Sequence, residues 1–461
     1  MTSVSDDGQQ PAKGGIGTGL HDAYNARVFR ANCAGRFRYV PERRRWIEWN
    51  GPVWQELCDT GPVEEAAEQV IRDYVISGDK AGEAHSRRSL SERGIRAAIR
   101  LASNYAEMRI SSDLLDSHPS ELNTPSGIID LISGKLIPPQ ADHWHTKMTG
   151  VPYDPNAPCA QWKTFLDTTF DKDDELISYM QRLIGYAATG QVTEHILPFL
   201  HGAGQNGKTV LLETVSKVLG DYAMSAPANF LLVGRNEHPT ELARLQGARL
   251  VVCSEINEGC RFDEQKVKQL TGGDRIAARL MHRDYIEFRP SHTIFLMGNH
   301  HPTVRAGGDA FWRRLQLIPF EHRVPDAARV KGLDELLVST EGPAILAWIV
   351  AGAVDVAANG LQPPSKVVAA TQEYADSEDT IGQFIVECIR PVHPDTKIAS
   401  SLVYRRYTQW CSENGIPPKD RSVFGRELSS RGHRVRQSHG KRYVFGVTLD
   451  RLPIDHGWMP E

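Results

Sequence analysis

Apolar and polar positions along this 461-residue chain change period in blocks, and each change marks a boundary. Residues 1–20, "MTSVSDDGQQPAKGGIGTGL", offer almost nothing to bury and are expected to form a disordered tail. The stretch "NARVFRANCAGRFRYVPERRRWIEWNGPVWQ" then alternates between turn residues, with Trp46, Trp49 and Trp54 supplying apolar area, which predicts short strands. From 61 to 118 apolar residues recur at three- and four-residue intervals, as in "EEAAEQVIRDYVI" and "GIRAAIRLASNYAEM", predicting helices. "LNTPSGIIDLISGKLIPP" predicts a hairpin closing an α+β N-terminal domain over 21–150. The proline-rich "YDPNAPCAQW" and the amphipathic "QWKTFLDTTF" and "DELISYMQRLIGYAATG" make 151–194 a set of connector helices.

Over 195–361 the pattern changes again. The apolar runs "ILPFLH", "ARLVVCSE", "HTIFLMGN" and "RLQLIPF" alternate with longer segments, the mark of an α/β core with a parallel sheet and crossover helices. Pro198 lacks the N–H that a central ladder needs, so it belongs at a strand start. Residues 327–361 return to a helical pattern, and "QPP" opens a linker over 362–379. Within 380–450, "DTIGQFIVECI", "SSLVYRRYTQWCSENG" and "DRSVFGRELSSRG" predict three helices, and "HRVRQSHGKRYVFGVTL" predicts two strands around "SHGKR". That order suggests a winged helix-turn-helix DNA-binding domain, followed by a tail at 451–461.

Composition adds exclusions. A formal charge of -4, 40% hydrophobic and 24% charged residues are ordinary for a globular protein. The apolar run "AILAWIVAGAVDVAA" is interrupted by Asp355 and reads as too short to span a bilayer, and no apolar signal region opens the chain, so no membrane partner and a cytoplasmic location in a bacterial host cell are expected. Seven scattered cysteines without CxxC point to reduced thiols. The 17 histidines form no HExxH, and "GNHHP" lacks ligand neighbours, so no protein-ligated zinc site is expected.

Candidate chemistry concentrates between 202 and 314. "GAGQNGKT" fits G-x-x-x-x-G-K-[ST], preceded by an apolar run and followed by the helical "TVLLETVSKVL". Gly202, Ala203, Gly204, Gln205, Asn206, Gly207, Lys208, Thr209 and Val210 are the expected ATP cradle: backbone N–H groups wrap phosphates, Lys208 reaches the terminal ones, and Thr209 holds Mg²⁺. Downstream, "LVVCSEINEG" ends a strand with Glu255, followed by Glu258, acids placed to bind Mg²⁺ through water and polarise an attacking water. "IFLMGN" ends a strand with Asn299, suited to orienting water near the γ-phosphate. "FWRRLQLIPF" puts Arg313 and Arg314 on a turn, where a guanidinium can stabilise transition-state charge in a neighbouring subunit.

In that order these motifs resemble the helicase domain of phage and plasmid primase/helicases, relatives of the poxvirus primase/helicase within helicase superfamily 3. The likeness rests on the run from "ARLVVCSEINEG" to "FWRRLQLIPF" and on "WNGPVW", "LNTPSGIIDLISGKL", "YDPNAPCAQWKTFLD" and "LIGYAATGQ" upstream. It implies an AAA+-like P-loop NTPase core, a homo-hexameric ring around DNA, and ATP-driven strand separation in replication of a phage, prophage or plasmid. It also implies Walker A roles for Gly202, Gly207, Lys208 and Thr209, a Walker B role for Glu255 with Glu258 as the second candidate, a sensor role for Asn299, and an arginine finger among Arg313 and Arg314. Longer members carry a primase domain ahead of this region; with only a short tail here, priming is expected from a separate primase or host replication proteins.

DNA contacts are expected in two places. "KQLTGGDRIAARLMHRDYIEFRP" reads as a helix end carrying Lys268 and a hairpin carrying Arg279, His282 and Arg283, which in the resembled family faces the ring channel and its single strand. The C-terminal module is cationic within an acidic chain, with Arg421, Arg426 and Lys441 among the groups expected to touch duplex DNA. The competing reading is an origin-recognition or regulatory ATPase that grips DNA without unwinding it. A small-molecule kinase would leave the arginine pair and the basic module without a role.

Overall fold

The computed structural model describes residues 21–451 apart from 75–79, 228, 235–238, 257, 280–284, 306–307, 326–328 and 439, and apart from the side chains of Pro239, Glu255 and Ile256. The tail expected at 1–20, nearly all of that at 451–461, and His282 and Arg283 therefore lie outside the described residues.

Helices α1 (Asp22–Cys33), α2 (Gly61–Tyr74), α3 (Lys80–Ser89) and α4 (Glu92–Ala102) accompany an antiparallel sheet of β1 (Phe37–Val40), β2 (Arg45–Trp49) and β3 (Trp54–Glu56). In α4 the Ser91 hydroxyl caps the helix by accepting the Gly94 N–H at 3.2 Å. Ile95, Ala98, Ile99 and Ala102, spaced for one helical face, are buried. Ile95, Ile99 and Ala102 join Phe29, Phe37, Trp46 and Val63 in a core of their own.

The segment read as a hairpin is a three-stranded antiparallel meander of β4 (Glu121–Thr124), β5 (Gly127–Asp130) and β6 (Lys135–Ile137). A second turn at Ser133 and Gly134 creates the extra strand. Leu122, Ile129 and Leu131 bury their side chains among α5 (Ala160–Thr169) and α6 (Asp174–Thr189), not in the preceding core. Buried Arg249 fastens this junction: it donates to the Ala188 carbonyl at 2.6 Å and to the Glu121 carbonyl, and lies 4.5 Å over the Tyr222 ring.

The central unit runs β7 (Leu197–His201), α7 (Lys208–Leu219), β8 (Ala223–Ala226), α8 (Pro239–Ala243), β9 (Leu250–Ile256), α9 (Glu264–Leu270), β10 (Ile276–Arg279), β11 (Tyr285–Phe288), β12 (Thr293–Gly298), α10 (Asp309–Trp312) and β13 (Leu315–Pro319). Five of these strands make a parallel sheet in the order β13-β7-β12-β9-β8, while β10 and β11 pair separately as an antiparallel hairpin. Apolar clusters cover both faces, as a parallel sheet requires. Pro198 is the second residue of β7, at a level where only β13 is paired; pairing with β12 starts at Phe199. The strand order reverses beside β7, so a crevice opens beyond that strand's carboxyl end.

Helix α11 (Leu333–Asn359) corrects the reading of its apolar run as too short for a bilayer. It begins upstream of that run and spans 27 residues, long and apolar enough by length and composition to cross a membrane. Here Ile345, Leu346, Ile349, Val350 and Ala353 are buried inside the fold, and a Cβ on Gly352 would collide with the Gln181 carbonyl of α6. Buried Glu341 accepts the N–H groups of Gln161 and Trp162 at 2.9 and 2.8 Å, capping α5 from another helix. The expected linker at 362–379 is also corrected: it carries α12 (Ser365–Glu378), because Val367 and Tyr374, a helical repeat apart, are buried against the core. Burying two such side chains contributes about 1.5–3 kcal/mol each.

The C-terminal unit contains α13 (Thr380–Cys388), β14 (Ile389–Pro391), β15 (Lys397–Ala399), α14 (Ser400–Glu413), α15 (Arg421–Ser430), β16 (Val435–Ser438), β17 (Lys441–Phe445) and β18 (Val447–Leu449). The three helices close on Phe384, Tyr407, Trp410, Phe424 and Leu428, beside an antiparallel β15-β17-β16 sheet. The paired short strands β14 and β18 were not foreseen.

Candidate functional site

The loop between β7 and α7 emerges at the crevice. Gly207, which precedes the helix, has φ +86, and a Cβ there would stand 2.6 Å from Thr169 Oγ1. Only glycine reconciles that backbone with that neighbour. Ala203, Gly204, Gln205 and Thr209 are exposed, and Val210 is half-buried in the first turn of α7. The free N–H groups of a helix start therefore face an open crevice.

Lys208 is turned inward and only 4% exposed. Its Nζ donates to Gly202 O at 2.7 Å, Asn206 Oδ1 at 2.9 Å and Asn299 Oδ1 at 3.3 Å. The side chain of Asn206 is held in turn by donating to Ala203 O at 2.6 Å and Phe320 O at 2.9 Å. All three acceptors around the Lys208 ammonium are neutral, so the cation is hydrogen-bonded without a charge partner among them. Burial pushes its pKa down to about 8. Such an ammonium beside a helix start is matched by polyphosphate, and the donors present fit ATP. The exposed Thr209 hydroxyl, whose contact among the described residues is a 3.7 Å approach to Met297 Sδ, fits a Mg²⁺ ligand.

Asn299 follows β12 and reaches Lys208 directly, so two sequence motifs separated by ninety-one positions meet in one network. Glu255 lies at the carboxyl end of β9, next to β12 in the sheet, which puts its backbone on the same edge as Lys208 and Asn299; its side chain is outside what is described. Glu258 is exposed on the turn beyond. Arg313 and Arg314 do not join this group. The Arg314 carbonyl accepts the Leu197 N–H at the start of β7, the opposite edge of the sheet from the phosphate loop. A cleft of ≈ 530 Å³ lined by Asp309, Trp312, Arg313, Val367 and Gln372 lies at that end and is not the phosphate site.

Sequence reading missed Arg323, whose Nε donates to Gln205 Oε1 at 3.0 Å, while Val324 N donates to Gln205 O at 2.9 Å. The available signal was a basic residue just past the strand that borders β7.

Of the residues assigned to DNA, exposed Arg279 ends β10 and lies 5.4 Å from the Tyr285 ring across the hairpin, and Lys268 is half-buried on α9. Arg421, Arg426 and Lys441 are exposed on α15 and at the start of β17. Two neighbouring arginines are committed elsewhere: Arg406, 2% exposed, is bidentate to Asp450 at 3.1 and 3.2 Å, and Arg431 pairs with Asp379 at 2.6 Å.

The lowered pKa of Lys208 has a measurable sign. Phosphates attract the ammonium and not the neutral amine, so ATP affinity is expected to stay level below about pH 8 and to fall up to about tenfold per unit above it, with proton uptake on binding. Calorimetric titration with ATP in buffers of different ionisation enthalpy reads both effects; level affinity through about pH 9.5 would contradict the buried-ammonium account.

Comparison with known proteins follows the same layout. Residues 26–171 match the family described as D5 N terminal like, residues 200–314 a family of unknown function (DUF5906), and residues 376–434 the family described as Poxvirus D5 protein-like. A candidate helicase of Acanthamoeba polyphaga mimivirus is 32% identical over 160 residues, covering 32% of this chain and 16% of its own length. The candidate helicase 022R of Frog virus 3 (isolate Goorha) is 26% identical over 287 residues, covering 57% of this chain and 29% of that protein. A candidate primase of African swine fever virus (isolate Tick/Malawi/Lil 20-1/1983) is 26% identical over 230 residues, 48% of this chain and 24% of that protein. The chain thus spans less than a third of the length of these relatives. The apo structure of the NrS-1 C-terminal region superposes with a TM-score of 0.51 at 9% identity, covering 93% of this chain and 99% of that one, a likeness of fold alone. The chain's first and last matched segments thus resemble D5-type models, and the relatives that match it are named as helicases or primases.

Proposed function

We propose that this chain is an ATP-dependent DNA helicase of superfamily 3 type, acting in replication of a phage, prophage or plasmid within the bacterial cytoplasm. The single observation that carries the reading is the Lys208–Asn206–Asn299 network at the reversal point of a parallel sheet in which β12, the strand before Asn299, lies between β7 and β9, with Glu255 near the carboxyl end of β9. The strand order, with the phosphate-loop strand between the fourth and fifth of the sheet, supports an AAA+-like core. ATP and Mg²⁺ are the cofactors, with Thr209 and, through water, Glu255 holding the metal; Glu255 or Glu258 polarises the attacking water. The placement of Arg313 and Arg314 on the far edge supports a homo-hexameric ring in which nucleotide sits between subunits. The hairpin of β10 and β11, with Arg279 beside exposed Tyr285, supplies cation and ring to a single strand in the channel.

A forked duplex with one labelled strand tests this. ATP-dependent strand release is the expected outcome; hydrolysis stimulated by DNA without release would identify a regulatory ATPase instead.

The C-terminal unit is proposed as a winged helix on duplex DNA, supported by three helices followed by the β16–β17 hairpin. Exposed Arg421 and Arg426 on the third helix and Lys441 on the hairpin are the contacts; Arg406 and Arg431, tied to carboxylates, are not. Neutralising the three together is expected to weaken duplex binding and to reduce the slope of log K against log salt by about 2–3. Fluorescence anisotropy of the full chain across a salt series measures this, and an unchanged slope would reject the contacts.

A further inference from the structure

Outside the nucleotide site, one cluster of ligating side chains stands apart. His118 precedes β4, Glu121 is its first residue, and His143 ends a short 3-10 turn over Ala141–His143, so a turn and a distant loop converge. Glu121 lies at the centre. Its Oε2 is 2.8 Å from His143 Nδ1 and 3.1 Å from His145 Nε2, and its Oε1 is 3.9 Å from His118 Nδ1. The imidazoles of His118 and His143 stack with centroids 5.1 Å apart, and both turn Nδ1 towards this carboxylate. One ligand atom from each of His118, Glu121 and His143 falls within a 4.8 Å spread.

We propose that His118, Glu121 and His143 bind a divalent transition-metal ion, zinc by the chemistry of the donors, with His145 positioning the Glu121 carboxylate. Ligands on a tetrahedral ion with bonds of about 2.0–2.1 Å stand roughly 3.3 Å apart, so separations within 4.8 Å need adjustments of at most about 1.5 Å. Two imidazoles and a carboxylate select zinc and its neighbours over magnesium or calcium, which prefer oxygen ligands alone. The three side chains keep 42%, 21% and 20% of their surface exposed, leaving a path for the ion and a coordination position for water.

His145 plays a different part. It is 1% exposed and lies 3.1 Å from Glu121 Oε2 through its Nε2. With its Nε2–H donated to Glu121, its Nδ1 has no partner among the described residues. The ring thereby fixes the carboxylate from behind. The bound ion joins the start of β4 to the segment after residue 140. Because the Glu121 carbonyl also accepts from Arg249, it braces the meander against the nucleotide-binding sheet.

The test uses the full chain, stripped with a chelator and titrated with Co²⁺ alone while its visible absorption is followed, with Zn²⁺ as competitor. Wild type is expected to take up one tight equivalent with the intense bands of a four-coordinate ion, and Zn²⁺ is expected to displace it and raise the thermal midpoint. His118→Ala together with His143→Ala is expected to remove that equivalent. His118→Ala alone, at the most exposed of the three ligands, should fold as wild type does in chelator and bind at least about tenfold more weakly. Absence of Co²⁺ uptake by wild type, or equal affinity in the His118→Ala protein, overturns the site.

Discussion

Lys208→Ala is expected to reduce ATP hydrolysis to background, a loss of at least about 10³, on the order of 4 kcal/mol in transition-state stabilisation. The ammonium is poised to exchange its three neutral acceptors for the charged oxygens of the terminal phosphates, which adds the attraction of opposite charges that neutral acceptors do not supply. The same substitution should disturb the apo fold little. It removes three hydrogen bonds but also a desolvated cation, and Asn206 retains its anchors on Ala203 O and Phe320 O. Thermal unfolding should therefore stay within about 1–2 kcal/mol of wild type while turnover disappears. Undiminished turnover in the purified variant would remove the proposed mechanism.

The contrast between Lys208 and Arg323 shows what the sequence made legible. A phosphate loop is local: glycines, lysine and hydroxyl stand in one octapeptide, and its helix follows at once. Arg323 reaches Gln205 only because β13 lies beside β7, and that adjacency is a property of the sheet order, not of either segment. The same reason hid the histidine cluster: HPSE at 118–121 and HWH at 143–145 are unremarkable until the meander brings them together. In α12 the signal was present but outweighed. The prolines before Ser365 suggested a linker, while Val367, Thr371 and Tyr374 already carried a helical repeat aimed at β13, where Thr371 Oγ1 accepts the Leu317 N–H at 2.9 Å. Charge counting failed in one respect at the C-terminus, since burial of Arg406 against Asp450 and Glu413 withdraws a cation that composition assigns to the surface.

Arg313→Ala is expected to lower hydrolysis by about 10³ or more while leaving ATP binding unchanged, and the loss should be relieved by mixing with the Lys208→Ala protein. The two arginines are unequal. Arg314 is half-buried and spends its guanidinium on Thr271 Oγ1 at 3.1 Å and on the Ala310 carbonyl, whereas Arg313 is exposed and among the described residues makes an Nε contact to Asp309 O alone, at 3.2 Å. Neither reaches the phosphate loop of its own chain, because β7 separates the two ends by about 3.3 Å per residue along the strand. In the proposed ring, Arg313 would instead serve the nucleotide site of a neighbouring subunit. In mixtures, some interfaces pair an intact Lys208 with an intact Arg313, and those should hydrolyse. Arg314→Ala should instead lower thermal stability by about 0.5–1.5 kcal/mol, through the lost hydrogen bond to the buried Thr271 hydroxyl, which keeps its own bond to Val267 O. Full activity of Arg313→Ala, or mixtures as inactive as their components under demonstrated subunit exchange, would break the assignment in trans and with it the strongest reason to expect a ring.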